Sequence, residues 1–321
     1  MSHLKGGLFW AFFILIKDAW LLCTTSIIMI RYHIPDFQKN FRLNVLFCRY
    51  FELYRNCFYE NADIEYIYDS FPVVWNGGRF VKGEVDLSES EKILRQICGM
   101  KKKVAFTFTN SLISEEHLYN EAANAIMKIA SDLDMEKSVI IHSSLLEQYI
   151  RDRYPDFGII LSTTKMLKTA SDVNAALEKD YELLVIDYNM NHAWDELLRI
   201  KDRNRCEFLV NACCMDGCPD RGEHYAQISR MQIQNDDPAL RGSLKDRGCP
   251  YGKNNFFAAK NNRNFMDIEE IRTKYEPAGF EHMKIEGRGG DRLNLLEQYV
   301  QYMVKPEFRD RVRFELLQLM G

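Results

Sequence analysis

The feature that most narrows what this chain can fold into is a rhythm of short apolar runs alternating with stretches of helical spacing. The runs are Ile27–Ile34, Ile64–Asp69, Val104–Thr109, Ser138–His142, Gly158–Ser162, Leu183–Asp187, Glu207–Asn211 and His282–Ile285. Apolar residues recur at helical spacing in Phe41–Phe58, Glu115–Asp132, Ser144–Arg153, Ser171–Leu177 and Ala193–Ile200. Strands that are apolar almost throughout suit a parallel sheet buried on both faces, because each crossover helix covers one face. Eight such strands predict a (β/α)8 TIM-type barrel with a long insertion before the last strand, in preference to an open sheet. The chain has 321 residues, 46% of them hydrophobic, which is enough for one barrel-sized core. A single domain over residues 27–321 is expected, preceded by an apolar extension over residues 1–26.

A barrel of this kind carries its site at the carboxyl ends of the strands, on side chains contributed by several of them. The polar residues that end or follow the runs are Asp69, Asn110, His142, Ser162, Asp187, Asn211 and Glu286. Together they predict a ligand-binding mouth. Singly they have plainer readings: His142 as a hydrogen-bonded rim histidine, Asp187 as a helix cap. The loop Trp75-Asn76-Gly77-Gly78-Arg79 also invites attention. Paired glycines let backbone approach a ligand and Arg79 can meet an anion, although a tight turn with a surface arginine explains the same residues.

The seventh run delivers a cysteine-rich stretch, with Cys213, Cys214 and Cys218 close together and Cys249 in a second Cys-Pro pair. Cys214 and Cys218 are four apart, the spacing that puts two thiolates on one face of a helical turn. Pro219 and Pro250 each follow a cysteine, as in the Cys-Pro step that ends bacterial iron–sulfur runs. Three explanations stand open: an iron–sulfur cluster, a structural zinc with His224 as fourth ligand, and buried reduced cysteines that bind nothing. Nine cysteines, an odd number, are unlike a secreted disulfide framework and point to a reducing compartment, the cytoplasm.

A net charge of -4 and a pI near 6.0 give no global attraction for nucleic acid. Residues 7–16 and 19–30 are apolar, but Lys17-Asp18 separates them and neither half reaches the length of about 20 residues that a spanning helix needs. Membrane association therefore stays an open question, with an extension before the first strand as the plainer reading. There is no Rossmann glycine fingerprint, no Walker loop and no radical-type cysteine triplet near the first strand, so nicotinamide, nucleoside triphosphate and S-adenosylmethionine cofactors are unsupported.

Lys284-Ile285-Glu286-Gly287-Arg288, preceded by Gly279-Phe280 and followed by a helix containing Tyr299-Val300, resembles the signature near the end of the collagenase-like peptidase family, the U-32 peptidases of unassigned mechanism. Tyr68-Asp69-Ser70-Phe71-Pro72 with Gly77-Gly78-Arg79 is similar to that family's early strand and glycine loop. The resemblance implies a barrel carrying a four-iron, four-sulfur (4Fe-4S) cluster, in a family with members that hydroxylate ubiquinone precursors and RNA bases without oxygen. It implies Cys214, Cys218 and Cys249 as cluster ligands and Lys284, Glu286 and Arg288 at the mouth. The family's fourth cysteine has no counterpart at Phe265-Met266-Asp267-Ile268, so Cys213 or Cys206 replaces it or one iron keeps a position without a thiolate.

The leading expectation is an iron–sulfur barrel enzyme of hydroxylation or redox type on an aromatic or nucleobase-like small molecule. Lys284 and Arg288 would hold an anionic group, Glu286 would accept a proton or orient Arg288, and His224 would shuttle a proton. The alternatives are a peptide hydrolase, for which no Gly-x-Ser-x-Gly or His-Glu-x-x-His motif speaks, and a cluster-bearing assembly partner of a second, homologous barrel chain.

Overall fold

The computed structural model describes residues 28–234, 256–288 and 290–321. The N-terminal extension and Cys249 therefore lie outside the described residues, as does most of the irregular stretch between Asn235 and Asn264. Eight parallel strands close into a barrel in sequence order. They are β1 (Ile30–Pro35), β2 (Ala62–Asp69), β3 (Lys103–Phe108), β4 (Lys137–Ile141), β5 (Gly158–Leu161), β6 (Leu183–Val185), β7 (Cys206–Leu209) and β8 (His282–Lys284). β8 pairs with both β7 and β1, which closes the ring. The expected (β/α)8 barrel is what the chain forms, and the long insertion lies between β7 and β8.

Period-2 alternation sorts each strand between two cores. On β3, Val104, Phe106 and Phe108 face outward to the helices, while Ala105 and Thr107 face the barrel axis. The outer core is strongly aromatic, with Phe37, Phe71 and Phe106 in contact on one side and Phe208, Tyr275 and Phe280 on another. Inside the barrel, Tyr66, Tyr68, Ile140, Ile160, Val185 and Leu209 form a smaller apolar layer.

The alternation breaks once. Tyr32 pairs with Ile64 but His33 pairs with Tyr66, so Glu65 is an extra residue bulged out of the β1–β2 register. Ile64 and Ile67 both face the outer core, and the two residues between them, Glu65 and Tyr66, both turn toward the barrel interior. A bulge is the device that lets a strand aim two successive side chains to one side.

Three helices differ from expectation: Ala193–Ile200 shortens to Trp194–Leu197, and two others break. The Phe41–Phe58 helix ends at Leu53 and gives way to a 3-10 turn, Arg55–Cys57. Glu115–Asp132 is two helices, Glu115–Leu118 and Glu121–Ser131, because Asn120 caps the second one by accepting from the Ala123 amide at 2.9 Å. Among the described residues no helix is long and apolar enough to cross a membrane.

Candidate active site at the barrel mouth

A cavity opens at the carboxyl ends of the strands, and the glycine loop after β2 forms part of its wall. Gly77 has to be glycine: a Cβ there would stand 2.4 Å from the Asn110 Cα and 2.7 Å from the Thr109 carbonyl oxygen. Asn110 secures the same junction, donating to the Val74 carbonyl at 2.6 Å and to the Ser229 carbonyl at 3.2 Å. The close approach delivers Gly78 and Arg79 to the cavity, where a Cβ on Gly78 would be 3.3 Å from the Arg288 guanidinium. Of the two readings of this loop, the structure takes the first: it lines a cavity.

The pentapeptide after β8 supplies the facing charges. Lys284 Nζ sits 3.1 and 3.2 Å from the two oxygens of Glu207 on β7 and lies 4.2 Å from the Tyr68 ring centroid. Burial pushes its ammonium pKa down, with Glu207 opposing. Glu286 is ion-paired to Arg79 and accepts from the Cys213 amide at 3.0 Å. Its backbone is locked by Asn211, which accepts from the Glu286 amide at 2.7 Å and donates to the Glu286 carbonyl at 2.8 Å. Arg288 is half-buried beside the Tyr68 ring and donates to the Ser70 hydroxyl at 2.9 Å. Burial, together with the nearby charge of Arg79, lowers its pKa. Gly287 between them packs against Leu295 and Pro35, too tightly for a Cβ to fit without displacement.

The polar strand ends divide into two groups. Ser162 and Glu286 line the cavity. Asp69, Asn110, His142, Asp187 and Asn211 hold its rim. Asp69 accepts from the Gln38 and Ser70 amides at 3.1 and 2.8 Å, and burial with the charge of Asp36 raises its carboxyl to about 7. Asp187 does cap a turn, accepting from the Asn189 amide at 2.9 Å, and also pairs with Arg221 at 2.6 Å. Arg221 is the first residue of the helix Arg221–Ile233 and stacks 3.7 Å over the Tyr188 ring, so this buried pair pins the insertion to the mouth. His142 Nδ1 is 2.9 Å from the Thr164 hydroxyl, which donates in turn to Ser162 at 2.9 Å; burial lowers the imidazole to about 4.

The cysteines are spread along the loop after β7. Cys213 is buried, with its thiol directed to the Asn211 carbonyl, and Cys214 forms part of the cavity wall. Burial and the charge of Glu286 raise both thiols. Cys218 is partly buried just before the helix Arg221–Ile233, and Cys206 is buried on β7. Among the described residues, Cys213, Cys214, Cys218 and His224 do not gather three donors within 4.8 Å, the span of one ion's ligands. His224 is exposed on the first turn of its helix and does not line the cavity.

Thr107, Thr109, Tyr188 and Tyr225 complete the wall. No motif marks them, and the only sequence signal is that Thr107 shares the inward parity of its strand. Among the described residues, the hydroxyls of Thr107, Thr109 and Tyr188 are buried without a hydrogen-bond partner.

No family model matches the chain, and no curated protein matches it by sequence. Among solved structures it is similar to one described as the structure of the U32 peptidase Mk0906, with a TM-score of 0.51 and 14% identity over 84% of this chain and 95% of that one. The likeness is one of fold: the chain is a closed eight-stranded barrel like that of a U32 peptidase.

Proposed function

We propose that the barrel mouth is the substrate site of an enzyme acting on a small molecule that joins an anionic group to an aromatic or nucleobase-like ring, with an iron–sulfur cluster held at its rim. The observation that carries the reading is the convergence on one cavity of three cations, Lys284 among them buried, and of hydroxyls unpartnered among the described residues. Arg79, Lys284, Arg288 and Glu286 line it. Among the described residues Glu286 is ion-paired to Arg79 and Glu207 to Lys284, while Arg288 lines the cavity with no carboxylate in ion-pair contact, Asp69 and Glu286 acting on it from farther off; an anionic ligand would meet its charge directly. Each buried hydroxyl without a partner costs about 1–3 kcal/mol, which a polar ligand or its water would offset. The Tyr68, Tyr188 and Tyr225 rings offer flat apolar surface beside these groups.

In this reading Arg288 and the three hydroxyls bind and orient the substrate, and Glu286 fixes Arg79 against the cavity. Ser162 and Thr164 add hydroxyls to the opposite wall. Cys214 and Cys218 would hold the cluster, with Cys249 from residues outside the described ones. Cys214 lies in the cavity wall, so a cluster that it held would stand at the cavity's edge. Bound there, a cluster would supply electron transfer, or Lewis acidity if one iron lacks a thiolate. Iron and acid-labile sulfide in anaerobically purified protein test this part directly. Both should be present and should be lost in Cys214→Ala, Cys218→Ala and Cys249→Ala; zinc in place of iron, or retention in all three variants, refutes it.

A peptide hydrolase is the second reading, favoured by the description of the structural neighbour as a peptidase. The nearest thing to a nucleophile and base is the Ser162–Thr164–His142 chain. An imidazole lowered to about 4 is a weak base, and among the described residues no carboxylate pairs with His142. Peptide cleavage abolished by both His142→Ala and Ser162→Ala would make this the better account.

A further inference from the structure

The interior below the mouth holds a second group of side chains. His33 on β1, Glu65 on β2 and His282 on β8 each offer one donor atom to a common point. His33 Nε2 is 3.1 Å from Glu65 Oε2, His282 Nδ1 is 3.0 Å from the same oxygen, and the two nitrogens are 3.2 Å apart. Two N–H groups donating to the one carboxylate oxygen would satisfy the three atoms but bring two donors within 3.2 Å of each other, whereas an ion bonded to all three would use a lone pair of each.

We infer that His33, Glu65 and His282 form a binding site for a divalent first-row transition metal ion such as zinc. Donors about 2.0–2.1 Å from a tetrahedral ion stand about 3.3 Å from one another, close to the spacing of these three. Two imidazoles and one carboxylate are a donor set found in three-ligand zinc sites, with a fourth position left for water. The surroundings also suit a metal. The second nitrogen of His33 is paired with the buried Glu207, an arrangement that fixes the ring and leaves Nε2 free for an ion. Glu207 is held in turn by Lys284, and the other Glu65 oxygen by Lys103 at 3.2 Å. Glu65 reaches the site only because of the β1–β2 bulge, which turns it and Tyr66 inward together.

The three ligands come from β8, β1 and β2, the seam where the last strand meets the first. The ion would staple that seam. Through His33, Glu207 and Lys284 the site is also joined to the mouth, so occupancy would position Lys284 in the cavity without touching substrate.

The test uses the full chain carrying Cys213→Ser, Cys214→Ser, Cys218→Ser and Cys249→Ser, so that loop thiols cannot compete. Metal-free protein is titrated with cobalt(II). The expected result is one equivalent bound, with visible d–d absorption and no thiolate charge-transfer band, lost in both Glu65→Gln and His282→Gln. Glu207→Gln should weaken binding about 10–100-fold. No binding, or binding that survives both ligand substitutions, overturns the inference. Should the variants not fold, anomalous scattering at the zinc edge from zinc-soaked crystals of the unsubstituted protein decides: density bonded to His33, His282 and Glu65 supports the site, and its absence there refutes it.

Discussion

Replacing Gly77 by alanine tests whether the loop that builds the mouth is seated as described. The added Cβ would lie 2.4 Å from Asn110 Cα, 2.6 Å from the Asn110 nitrogen and 2.7 Å from the Thr109 oxygen. All three are backbone atoms at the end of β3, so relief must come from moving the loop. Overpacking of this kind costs about 1–3 kcal/mol, and rigid neighbours put Gly77→Ala toward the upper end. For a domain of this size each kcal/mol shifts the melting temperature by about 2–4 °C, so a fall of about 4–10 °C is expected. Displacing the loop also pulls Arg79 from Glu286, so any ligand of the mouth should bind more weakly. Gly99→Ala is the control: it is exposed at the end of the helix Leu87–Gly99, with nothing within 4 Å of its would-be Cβ, and should stabilise by about 0.4–1 kcal/mol. Scanning calorimetry measures both. A Gly77→Ala melting temperature within about 1 °C of the parent would refute the close approach on which the mouth depends.

Other perturbations follow from buried charges. Lys284→Met leaves Glu207 buried without its main partner and should cost about 3–5 kcal/mol in chemical denaturation, while adding Glu207→Gln should recover part of that loss. Asp69 has its carboxyl raised by burial and by Asp36, so the folded state holds a proton that the unfolded chain releases near pH 4. Its contribution to stability is therefore present below about pH 4 and is lost as pH rises to about 7, at up to about 1.4 kcal/mol per pH unit. Asp69→Asn should raise the melting temperature, relative to the parent, more at pH 8 than at pH 5; an equal difference at both would contradict this placement.

Much of the fold can be read in the sequence because parallel barrel strands are apolar on both faces and stand out as short runs. All eight runs became strands, and the mouth residues Gly78, Arg79, Cys214, Lys284, Glu286 and Arg288 carried visible motifs. What could not be read depends on register and closure. Nothing in Ile64-Glu65-Tyr66-Ile67 announces a bulge, since its effect exists only relative to β1. Thr107 and Tyr188 look like ordinary strand and turn residues until closure points them at one cavity. Two local signals do stand in the sequence. The helix Leu87–Gly99 begins at Asp86, which accepts from the Glu89 amide at 2.9 Å, and Asn120 marks a cap inside an otherwise continuous apolar pattern. His224 looked available as a proton shuttle beside the cysteines, but its helix turns it outward. The chemistry of His33 and His282 was hidden because they sit on different strands at opposite ends of the chain.

The claim at the centre of this account is that the mouth binds an anionic ring compound through Arg288 and the unpartnered hydroxyls. Isothermal titration of the purified protein with benzoate and with a nucleobase carboxylate tests it most directly, alongside Arg288→Gln and Thr107→Val. The account predicts binding of at least one of these compounds at one site per chain. It also predicts a loss of about 10–100-fold in Arg288→Gln, the worth of a charge-assisted hydrogen bond of about 1.5–3 kcal/mol, and a smaller loss in Thr107→Val. Absence of binding by either compound, or binding unchanged in Arg288→Gln, would contradict it.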